Sequence, residues 1–331
     1  MDEGLFGSGL PGEGVPGLPL IDPGDTVGLS LKRAAAYLRG KGVPTPRLDA
    51  DLLLAYVLGV RREDLYMHPE RPLGGGECEE FRRVLEKRGR RIPLAYITGH
   101  KEFMSLDFIV NEKVLVPRPD TEVLVETVIH RIRRMAAFFN RGREGPGAQE
   151  IAPPTLLIAD IGTGSGAIAV SLAKFVPEVT VFATDISGEA LEVARANARR
   201  HGVADRVILL EGDCLDPLRE QGLQGKLHAI ASNPPYLSRA LIDLLQREIG
   251  YEPGLALFAG SEGLEFYERL LKDAPSFLKP EGFTAFEVGD EQAEEVSRMA
   301  REIGGFRCVE VIPDYSGRPR VVVAGGAGIS H

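Results

Sequence analysis

The stretch Thr155-Leu156-Leu157-Ile158-Ala159-Asp160-Ile161-Gly162-Thr163-Gly164-Ser165-Gly166-Ala167-Ile168-Ala169 places three structural elements in direct succession. Its apolar beginning, which ends at Asp160, predicts a short buried strand. The alternate glycines Gly162, Gly164 and Gly166 predict a tight turn, because glycine adopts positive φ angles at no steric cost. The apolar run that follows predicts a helix. A strand, a glycine turn and a helix N-terminus together let a cofactor approach the backbone closely.

Two strands further along the chain end in polar residues that suit the same cofactor site. The apolar segment 180–184 is followed by Asp185. A carboxylate at a strand end about 20 residues past the glycines is placed to bind a ribose diol. The segment 207–210 leads into Asp213 and Cys214. These two residues are predicted to lie beside the adenine of such a cofactor.

The glycine loop alone fits two classes of cofactor. Gly162, Gly164 and Ala167 satisfy the G-x-G-x-x-G/A pattern of dinucleotide-binding folds, so a nicotinamide-dependent dehydrogenase is an alternative at this point. Asp160 and the denser G-x-G-x-G spacing favour S-adenosylmethionine, whose amino-acid end carries an ammonium and a carboxylate in place of a pyrophosphate. The loop therefore leaves both enzyme classes open.

A second motif, Asn233-Pro234-Pro235-Tyr236, follows the apolar run 227–231. Each proline fixes its φ angle and lacks an N–H, so the backbone after this predicted strand is stiff and its carbonyls stay free. The Asn233 oxygen and a proline carbonyl can each accept one hydrogen of a planar NH2 group, while the Tyr236 ring covers its face. The structural alternative is a plain Pro-Pro turn. A clamp of this kind has no role in hydride transfer and suits methyl transfer to nitrogen.

Charge and composition narrow the classes of protein and partner. The chain has 331 residues, enough for two domains with cores, and a formal net charge of −9, which is untypical of a general nucleic-acid binder. The basic runs at 87–91 and 131–134 are predicted to be solvated helix faces. Three cysteines without C-x-x-C spacing predict a reduced cytoplasmic protein with no disulfide and no zinc site. We expect no membrane span and no signal peptide.

The chain is predicted to have four parts. Residues 1–25 are rich in Gly and Pro and predict a disordered tail. Residues 26–92 carry apolar residues at helical spacing and predict a helical domain for substrate recognition. Residues 93–118 predict an inter-domain hairpin. Residues 119–331 predict the catalytic domain, in which strands and helices alternate.

Several boundaries within these parts are also predicted. Asp49 and Gly59 lie close to the cap positions of one N-terminal helix. The segment 103–116 alternates and predicts a hairpin that turns at Asn111-Glu112. Residues 141–154 predict a flexible loop. Late strands are predicted near 284–288, 308–312 and 320–323.

The string Pro117-Arg118-Pro119-Asp120-Thr121-Glu122 is predicted to open a helix that runs to about Phe139. Prolines at its start and acids in its first turn suit a helix N-terminus. An arginine between two prolines is stiffly presented. Arg118 is therefore either a functional residue or a surface residue at the start of a helix.

Five strings of this chain together resemble the HemK/PrmC family, whose members methylate the side-chain amide nitrogen of a glutamine in peptide chain release factors. The resemblance covers about 29–324. The glycine loop and the clamp also occur in other methyltransferases, whereas the Arg118 string and the helical N-terminal domain are specific to the family. The matching strings are Pro93-Leu94-Ala95-Tyr96-Ile97-Thr98-Gly99 with Phe103, Val116-Pro117-Arg118-Pro119-Asp120-Thr121-Glu122, Asp160-Ile161-Gly162-Thr163-Gly164-Ser165-Gly166, Ser232-Asn233-Pro234-Pro235-Tyr236, and Tyr251-Glu252-Pro253 with Gly263-Leu264 and Tyr267.

The resemblance implies an α/β fold of the class I S-adenosylmethionine-dependent methyltransferases, with a seven-stranded Rossmann-like sheet, an antiparallel last strand and a small N-terminal helical bundle. It implies S-adenosyl-L-methionine as cofactor, S-adenosyl-L-homocysteine as product and no metal. A cysteine at position 214 departs from relatives, which often place a larger residue against the adenine. The implied cofactor-binding residues are Gly162, Thr163, Gly164, Ser165, Gly166, Asp185, Asp213, Cys214 and Asn233. The implied substrate-binding residues are Asn233, Pro234, Pro235, Tyr236 and Arg118, of which Asn233, Pro234 and Tyr236 are the expected catalytic residues.

The expected reaction is methyl transfer to the glutamine N(5) atom in the Gly-Gly-Gln loop of release factors. The expected enzyme is a monomer that contacts neither membrane nor nucleic acid. Three alternatives stay open at this point. They are a ribosomal-protein glutamine methyltransferase, an N(6)-adenine methyltransferase acting on DNA or RNA, and a cofactor-binding scaffold without activity.

Overall fold

The computed structural model describes residues 17–141, 155–236, 248–257 and 263–325. The chain divides into two compact units between Thr98 and Gly99. The four-part organisation expected from the sequence stays a prediction. Its flexible loop at 141–154 lies outside the described residues except for Arg141, which ends a helix.

The described part of the first unit is built from five helices around one apolar core. Ile21, which lies within the predicted disordered tail, is fully buried in this core, so the packed unit begins before residue 26. The helices are α1 (Val27–Gly40), α2 (Pro46–Leu58), α3 (Arg62–Met67), α4 (Gly75–Gly89) and α5 (Leu94–Thr98).

The two predicted cap residues of α2 behave differently. Gly59 is confirmed as the C-cap, with a left-handed φ of 64° that only glycine adopts without strain. The prediction for Asp49 is wrong, because Thr45 is the N-cap residue and Asp49 lies inside the helix. Asp49 is buried there with Arg88, whose Nε atom lies 2.6 Å from its carboxylate. A charge buried in this way needs its ionic partner, which is 39 residues away in sequence.

The second unit begins with a hairpin whose position differs from the predicted one. Strands β1 (His100–Phe103) and β2 (Leu106–Ile109) pair antiparallel and are joined at Met104 and Ser105, whose φ angles are 52° and 57°. The predicted turn at Asn111-Glu112 is therefore wrong. Val110, Val114 and Val116 are buried without forming a strand. Alternating apolar residues indicate that one side of the chain is buried, and an irregular segment with no strand partner can be buried in the same way.

The core of the second unit is a seven-stranded sheet in the order β5-β4-β3-β6-β7-β9-β8. Strands β3 to β7 are parallel, and β9 runs antiparallel to both of its neighbours. The predicted mostly parallel sheet with an antiparallel last strand is confirmed. The strands are β3 (Leu156–Ile161), β4 (Val179–Asp185), β5 (Val207–Glu211), β6 (Leu227–Ser232), β7 (Leu278–Glu287), β8 (Cys308–Pro313) and β9 (Pro319–Gly325).

Helices cover both faces of this sheet. Along β3, Ile158 belongs to one apolar cluster and Ala159 to the cluster on the other side. Because both faces are buried, polar groups gather at the carboxyl ends of the strands. The helices are α6 (Thr121–Arg141), α7 (Ala167–Phe175), α8 (Gly188–Arg200), α9 (Asp216–Glu220), α10 (Gly254–Leu257), α11 (Glu265–Phe277) and α12 (Ala293–Glu302), with a 3-10 helix at Ile249–Tyr251. No helix in the described ranges is long and apolar enough to cross a membrane.

Candidate active site

The glycine loop and the clamp lie side by side at the carboxyl edge of the sheet. Strand β3 pairs with β4 on one side and with β6 on the other, and Ile161 is level with both Thr184 and Ser232. The Ser232 hydroxyl donates to the Ile161 carbonyl at 2.7 Å. The chain order reverses between β3 and β6, which is where open α/β sheets form their binding crevice.

The three glycines of the loop serve two different purposes. Gly162, Gly164 and Gly166 all have positive φ angles, of 72°, 54° and 79°. A Cβ atom on Gly166 would lie 3.0 Å from the Cβ atom of Ala194, so this glycine permits close packing of α8. A Cβ atom on Gly162 or Gly164 would meet no described atom within 4 Å. These two glycines therefore border open space.

Asp160 points a carboxylate toward this loop from the end of β3. One oxygen accepts hydrogen bonds from the Thr163 hydroxyl at 2.6 Å and the Ala169 amide at 3.1 Å. The other oxygen, Oδ1, is buried and has no hydrogen-bond partner in the part of the chain that the structure describes. Burial, with a smaller contribution from the charge of Asp185, raises the pKa of Asp160 to about 7, against the lowering effect of the two hydrogen bonds. An unpartnered buried carboxylate oxygen is suited to bind a cation.

Asp160 makes the stability of the ligand-free protein depend on pH. Its folded-state pKa of about 7 lies above the ordinary 3.8, so between these two pH values the folded protein holds a proton that the unfolded chain has lost. The free energy of unfolding therefore falls as the pH rises toward 7. We expect the melting temperature of the wild type, relative to Asp160→Asn, to fall by several degrees from pH 5 to pH 8. Thermal melts at both pH values measure this. The expectation is wrong if the difference in melting temperature between the wild type and Asp160→Asn is the same at both pH values. It is also wrong if the wild type falls by as much relative to the surface variant Asp205→Asn.

Asp185 is held in place by the backbone around it. Its two carboxylate oxygens accept from the amides of Gly164 at 2.8 Å and Ser187 at 3.0 Å. Each oxygen keeps a lone pair for a ligand hydroxyl. The next residue, Ile186, leaves 57% of its surface exposed at the strand end. Ile186 was not predicted from the sequence as a site residue, although it is an apolar residue directly after the Asp185 carboxylate.

Cys214 and Asp213 follow strand β5. Cys214 adopts a φ of 52°, unusual for a residue with a side chain, and its carbonyl accepts from the Thr184 hydroxyl at 3.0 Å. Burial raises the pKa of the Cys214 thiol to about 11, so the thiol stays neutral at physiological pH. Asp213 instead forms a surface ion pair with Arg269 at 2.6 Å. Contact of either residue with an adenine stays a prediction.

The clamp is anchored at both of its ends. The Asn233 Nδ2 atom donates to the Thr121 hydroxyl at 3.0 Å, and Asn233 Oδ1 accepts no hydrogen bond from the described residues. The Tyr236 carbonyl accepts from Gln292 Nε2 at 3.1 Å, and the same nitrogen donates to Gly263 at 3.1 Å. Burial and the Glu287 charge raise the pKa of Tyr236 to about 12, so its hydroxyl stays neutral. Gln292 was not predicted from the sequence, because a glutamine at the start of a helix belongs to no recognisable motif.

Another residue that the sequence analysis missed, Asn197, connects the hairpin to the glycine loop. Its Nδ2 atom donates to the carbonyls of Ser165 at 2.8 Å and Ile109 at 2.9 Å, and its oxygen accepts from the Ile109 amide at 2.8 Å. The side chain is fully buried on α8. Three satisfied hydrogen bonds hold strand β2 against the loop. No local sequence signal distinguishes this asparagine from a surface residue.

The structure gives Arg118 a partner within the protein. Its Nη2 atom lies 2.6 Å from Glu252 Oε1, and Glu252 Oε2 accepts from the Val116 amide at 3.3 Å. The Glu252 side chain is buried, whereas about a third of Arg118 is exposed. Arg118 therefore connects the segment before α6 to the segment 248–257. Its role in binding a substrate stays a prediction.

We expect Arg118 to act through Glu252. Removal of the guanidinium in Arg118→Ala leaves a buried carboxylate without its ion pair, which destabilises the protein by about 3 kcal/mol. The variants Arg118→Ala, Glu252→Gln and the double variant should lower enzyme turnover by the same factor, as a coupled pair does. Denaturant unfolding and turnover of all three test this, with the surface variant Arg298→Ala as control. A double variant much slower than Glu252→Gln would show that Arg118 contacts the substrate.

The described residues contain no group of three or more His, Cys, Asp or Glu side chains placed to hold a metal ion. At the carboxyl edge of the sheet, the open space beside Gly162 and Gly164 and the Asn233 oxygen, which accepts no hydrogen bond from the described residues, form the candidate site. The seven-stranded sheet with its antiparallel last strand is the fold of the class I methyltransferases, enzymes that carry out methyl transfer.

Comparison with known proteins identifies the family within that class. The family described as "PrmC N-terminal domain" matches residues 30–99, and "Methyltransferase small domain" matches residues 150–247. A release factor glutamine methyltransferase of Moorella thermoacetica is 42% identical over 90% of this chain and 98% of its own. Proteins of the same name from Chlorobaculum tepidum and Geobacter sulfurreducens are 39% identical, over 86% and 90% of this chain and 92% and 95% of their own. The chain belongs to the release factor glutamine methyltransferase family, as the resemblance predicted, and the dehydrogenase alternative is set aside.

Proposed function

We propose that this protein transfers the methyl group of S-adenosyl-L-methionine to the side-chain amide nitrogen of the glutamine in the Gly-Gly-Gln motif of peptide chain release factors. The observation that carries the proposal is the orientation of the Asn233 amide. Its nitrogen is engaged by Thr121, which leaves its oxygen as a hydrogen-bond acceptor at the site. Relatives named for this activity at 39–42% identity over most of the chain support the same reaction.

The residues of the cradle fit the parts of S-adenosyl-L-methionine. The unpartnered Asp160 Oδ1 would hold the ammonium group, and Asp185 would bind the ribose hydroxyls. The open space beside Gly162 and Gly164 would let the ligand approach the backbone of the loop, which also contains Thr163 and Ser165. Ile186 and Cys214 would cover the adenine. When bound, this cofactor supplies an electrophilic methyl group on a sulfonium.

The chain's own residues have to overcome the weak nucleophilicity of an amide. The lone pair of the glutamine nitrogen is delocalised into its carbonyl. Asn233 Oδ1 and the Pro234 carbonyl would each accept one amide hydrogen, which favours a pyramidal nitrogen and directs its lone pair at the methyl group. The two dipoles also stabilise the positive charge that develops on nitrogen. Tyr236 would hold the plane of the amide. Positioning of this kind lowers the activation free energy by several kcal/mol.

The remaining parts of the proposal concern product and partner. The proton of the methylated nitrogen leaves to water, and S-adenosyl-L-homocysteine is the second product. The first unit, which matches the PrmC N-terminal domain, would recognise the release factor. The net charge of −9 argues against direct binding of nucleic acid. We infer a monomeric cytoplasmic enzyme.

A methyl-transfer assay with labelled S-adenosyl-L-methionine tests the proposed function. The substrates are an intact release factor, the same factor with its Gly-Gly-Gln glutamine replaced, a ribosomal protein and duplex DNA. We expect label on the intact factor and none on the replaced one. Label only on the ribosomal protein or only on DNA would overturn the substrate while keeping the reaction class.

A further inference from the structure

The orientation of the Asn233 amide is not explained by the clamp motif itself. An asparagine side chain has an oxygen and a nitrogen of nearly equal size, and either can face a substrate. Only one orientation suits a substrate NH2 group, because the oxygen must face it. Some other group in the protein has to select that orientation.

Thr121 is the residue that the Asn233 amide contacts. The Asn233 Nδ2 atom lies 3.0 Å from the Thr121 hydroxyl oxygen, and Thr121 is buried at the first position of α6. A threonine hydroxyl alone does not select an orientation, because it can either donate or accept. The choice depends on where its single proton is directed.

Glu287 decides the direction of that proton. This residue ends β7, its side chain is almost fully buried, and its Oε2 atom has no hydrogen-bond partner among the described residues. Because Ser232 of β6 pairs with Phe286 of β7, Asn233 and Glu287 follow at the same end of two neighbouring strands. The Thr121 hydroxyl lies close enough to Glu287 to lower the pKa of its carboxyl group. An ionised carboxylate only accepts hydrogen bonds, so the Thr121 proton points to Glu287 and its oxygen is left to accept from Asn233. The nitrogen of Asn233 then faces Thr121, and its oxygen faces the substrate.

We propose that Thr121, together with the Glu287 carboxyl, is a positioning residue that makes Asn233 present its amide oxygen to the methyl-accepting nitrogen. This inference rests on the proposed function, since it concerns the same site. It adds two residues from α6 and β7 to a motif that lies after β6. Neither residue needs to contact the substrate or the cofactor.

The ionisation of Glu287 gives the positioning a dependence on pH. Burial raises the pKa of Glu287 to about 7, against the lowering effect of the neighbouring Thr121 hydroxyl. Below this pH the protonated carboxyl can itself donate to Thr121, which frees the threonine proton to turn the Asn233 amide around. The turnover of the wild type at saturating cofactor should therefore rise as the pH increases through about 7. The charged and titratable groups that face Glu287 are Arg320, Asp120, Arg118, Tyr236 and Tyr267.

The experiment compares turnover and cofactor affinity in matched variants. Thr121→Val keeps the shape and removes the hydroxyl, whereas Thr121→Ser keeps the hydroxyl. We expect kcat to fall by about 10- to 100-fold in Thr121→Val, with the Kd for S-adenosyl-L-homocysteine within about twofold, and Thr121→Ser to restore most of the rate. Thr284→Val removes another buried hydroxyl of the same unit, which donates to Ala324, and controls for loss of stability. It should lower the melting temperature and keep kcat.

Glu287→Gln provides an independent arm with an isosteric side chain. Its amide can donate to Thr121 at any pH, so we expect a kcat about tenfold or more below that of the wild type and no rise through pH 7. Thr121→Val at wild-type kcat overturns the inference. A loss of kcat in Thr121→Val that parallels its loss of cofactor affinity also overturns the inference. If Thr121→Val does not fold, the kcat and pH profile of Glu287→Gln test the inference instead. A wild type that methylates no release factor refutes the proposed function itself, before any variant is compared.

Discussion

Replacing Asn233 with alanine is expected to lower methyl transfer by about 100- to 1000-fold, which is the effect of removing one preorganised polar group from a catalytic site. The variant loses the amide oxygen that would accept a substrate hydrogen, and with it the orientation of the nucleophilic lone pair. Cofactor affinity should change by less than about fivefold. The parts of the cradle that hold the cofactor, Asp160 and Asp185, keep their own hydrogen bonds to other groups.

Single-turnover transfer from labelled S-adenosyl-L-methionine and calorimetric titration with S-adenosyl-L-homocysteine separate the two effects of Asn233→Ala. The matched control is Asn111→Ala, which removes a half-buried asparagine whose oxygen caps the Lys113 amide at 3.0 Å. This control should keep its turnover. If cofactor affinity falls in step with turnover in Asn233→Ala, Asn233 is mainly a cofactor ligand and the clamp role is wrong.

Replacing Gly164 with leucine is expected to weaken cofactor binding by about 100-fold or more, because the side chain would fill space that the ligand needs. No described atom lies within 4 Å of a Cβ atom at this position. The first atom of the new side chain therefore meets no steric conflict with the described residues. The conformational cost is that of a non-glycine residue at a φ of 54°, about 1–2 kcal/mol.

The chain offers a matched control for that conformational cost. Gly59 ends α2 with a φ of 64°, and a Cβ atom there also meets no described atom within 4 Å. Gly59→Leu should therefore lose a similar free energy of unfolding while cofactor affinity stays unchanged. Denaturant unfolding and titration with S-adenosyl-L-homocysteine measure both quantities. Equal affinities for the two variants would show that the cofactor does not lie against Gly164.

A substitution at Gly166 should mainly lower the free energy of unfolding, whereas a substitution at Gly164 should mainly weaken cofactor binding. Even an alanine at this position would place its Cβ atom 3.0 Å from Ala194 Cβ and 3.1 Å from its Cα, so the cost is a clash within the fold. The three loop glycines look alike in the sequence. Their different roles come from what packs against each of them, because α8 contacts only one side of the loop.

The sequence was sufficient for features that depend on neighbouring residues. The strand, glycine turn and helix around Gly164, the rigid backbone of the clamp and the C-cap at Gly59 are local, because φ preferences and proline geometry act within a few residues. The hairpin was misplaced even though it is also local. Alternation at Val110, Val114 and Val116 reflects burial of an irregular segment, and periodicity does not distinguish such a segment from a strand.

The partners of the site residues depend on the folded chain. Arg118 pairs with Glu252 across 134 residues, Asn233 contacts Thr121 across 112, and Asn197 holds Ile109 across 88. These contacts follow from the order of the strands and from the helices that pack on them, which no short pattern encodes. The motifs therefore identified which side chains carry the chemistry. The fold settles which way each of them faces, because a polar side chain in a buried site takes its orientation from distant hydrogen-bond partners.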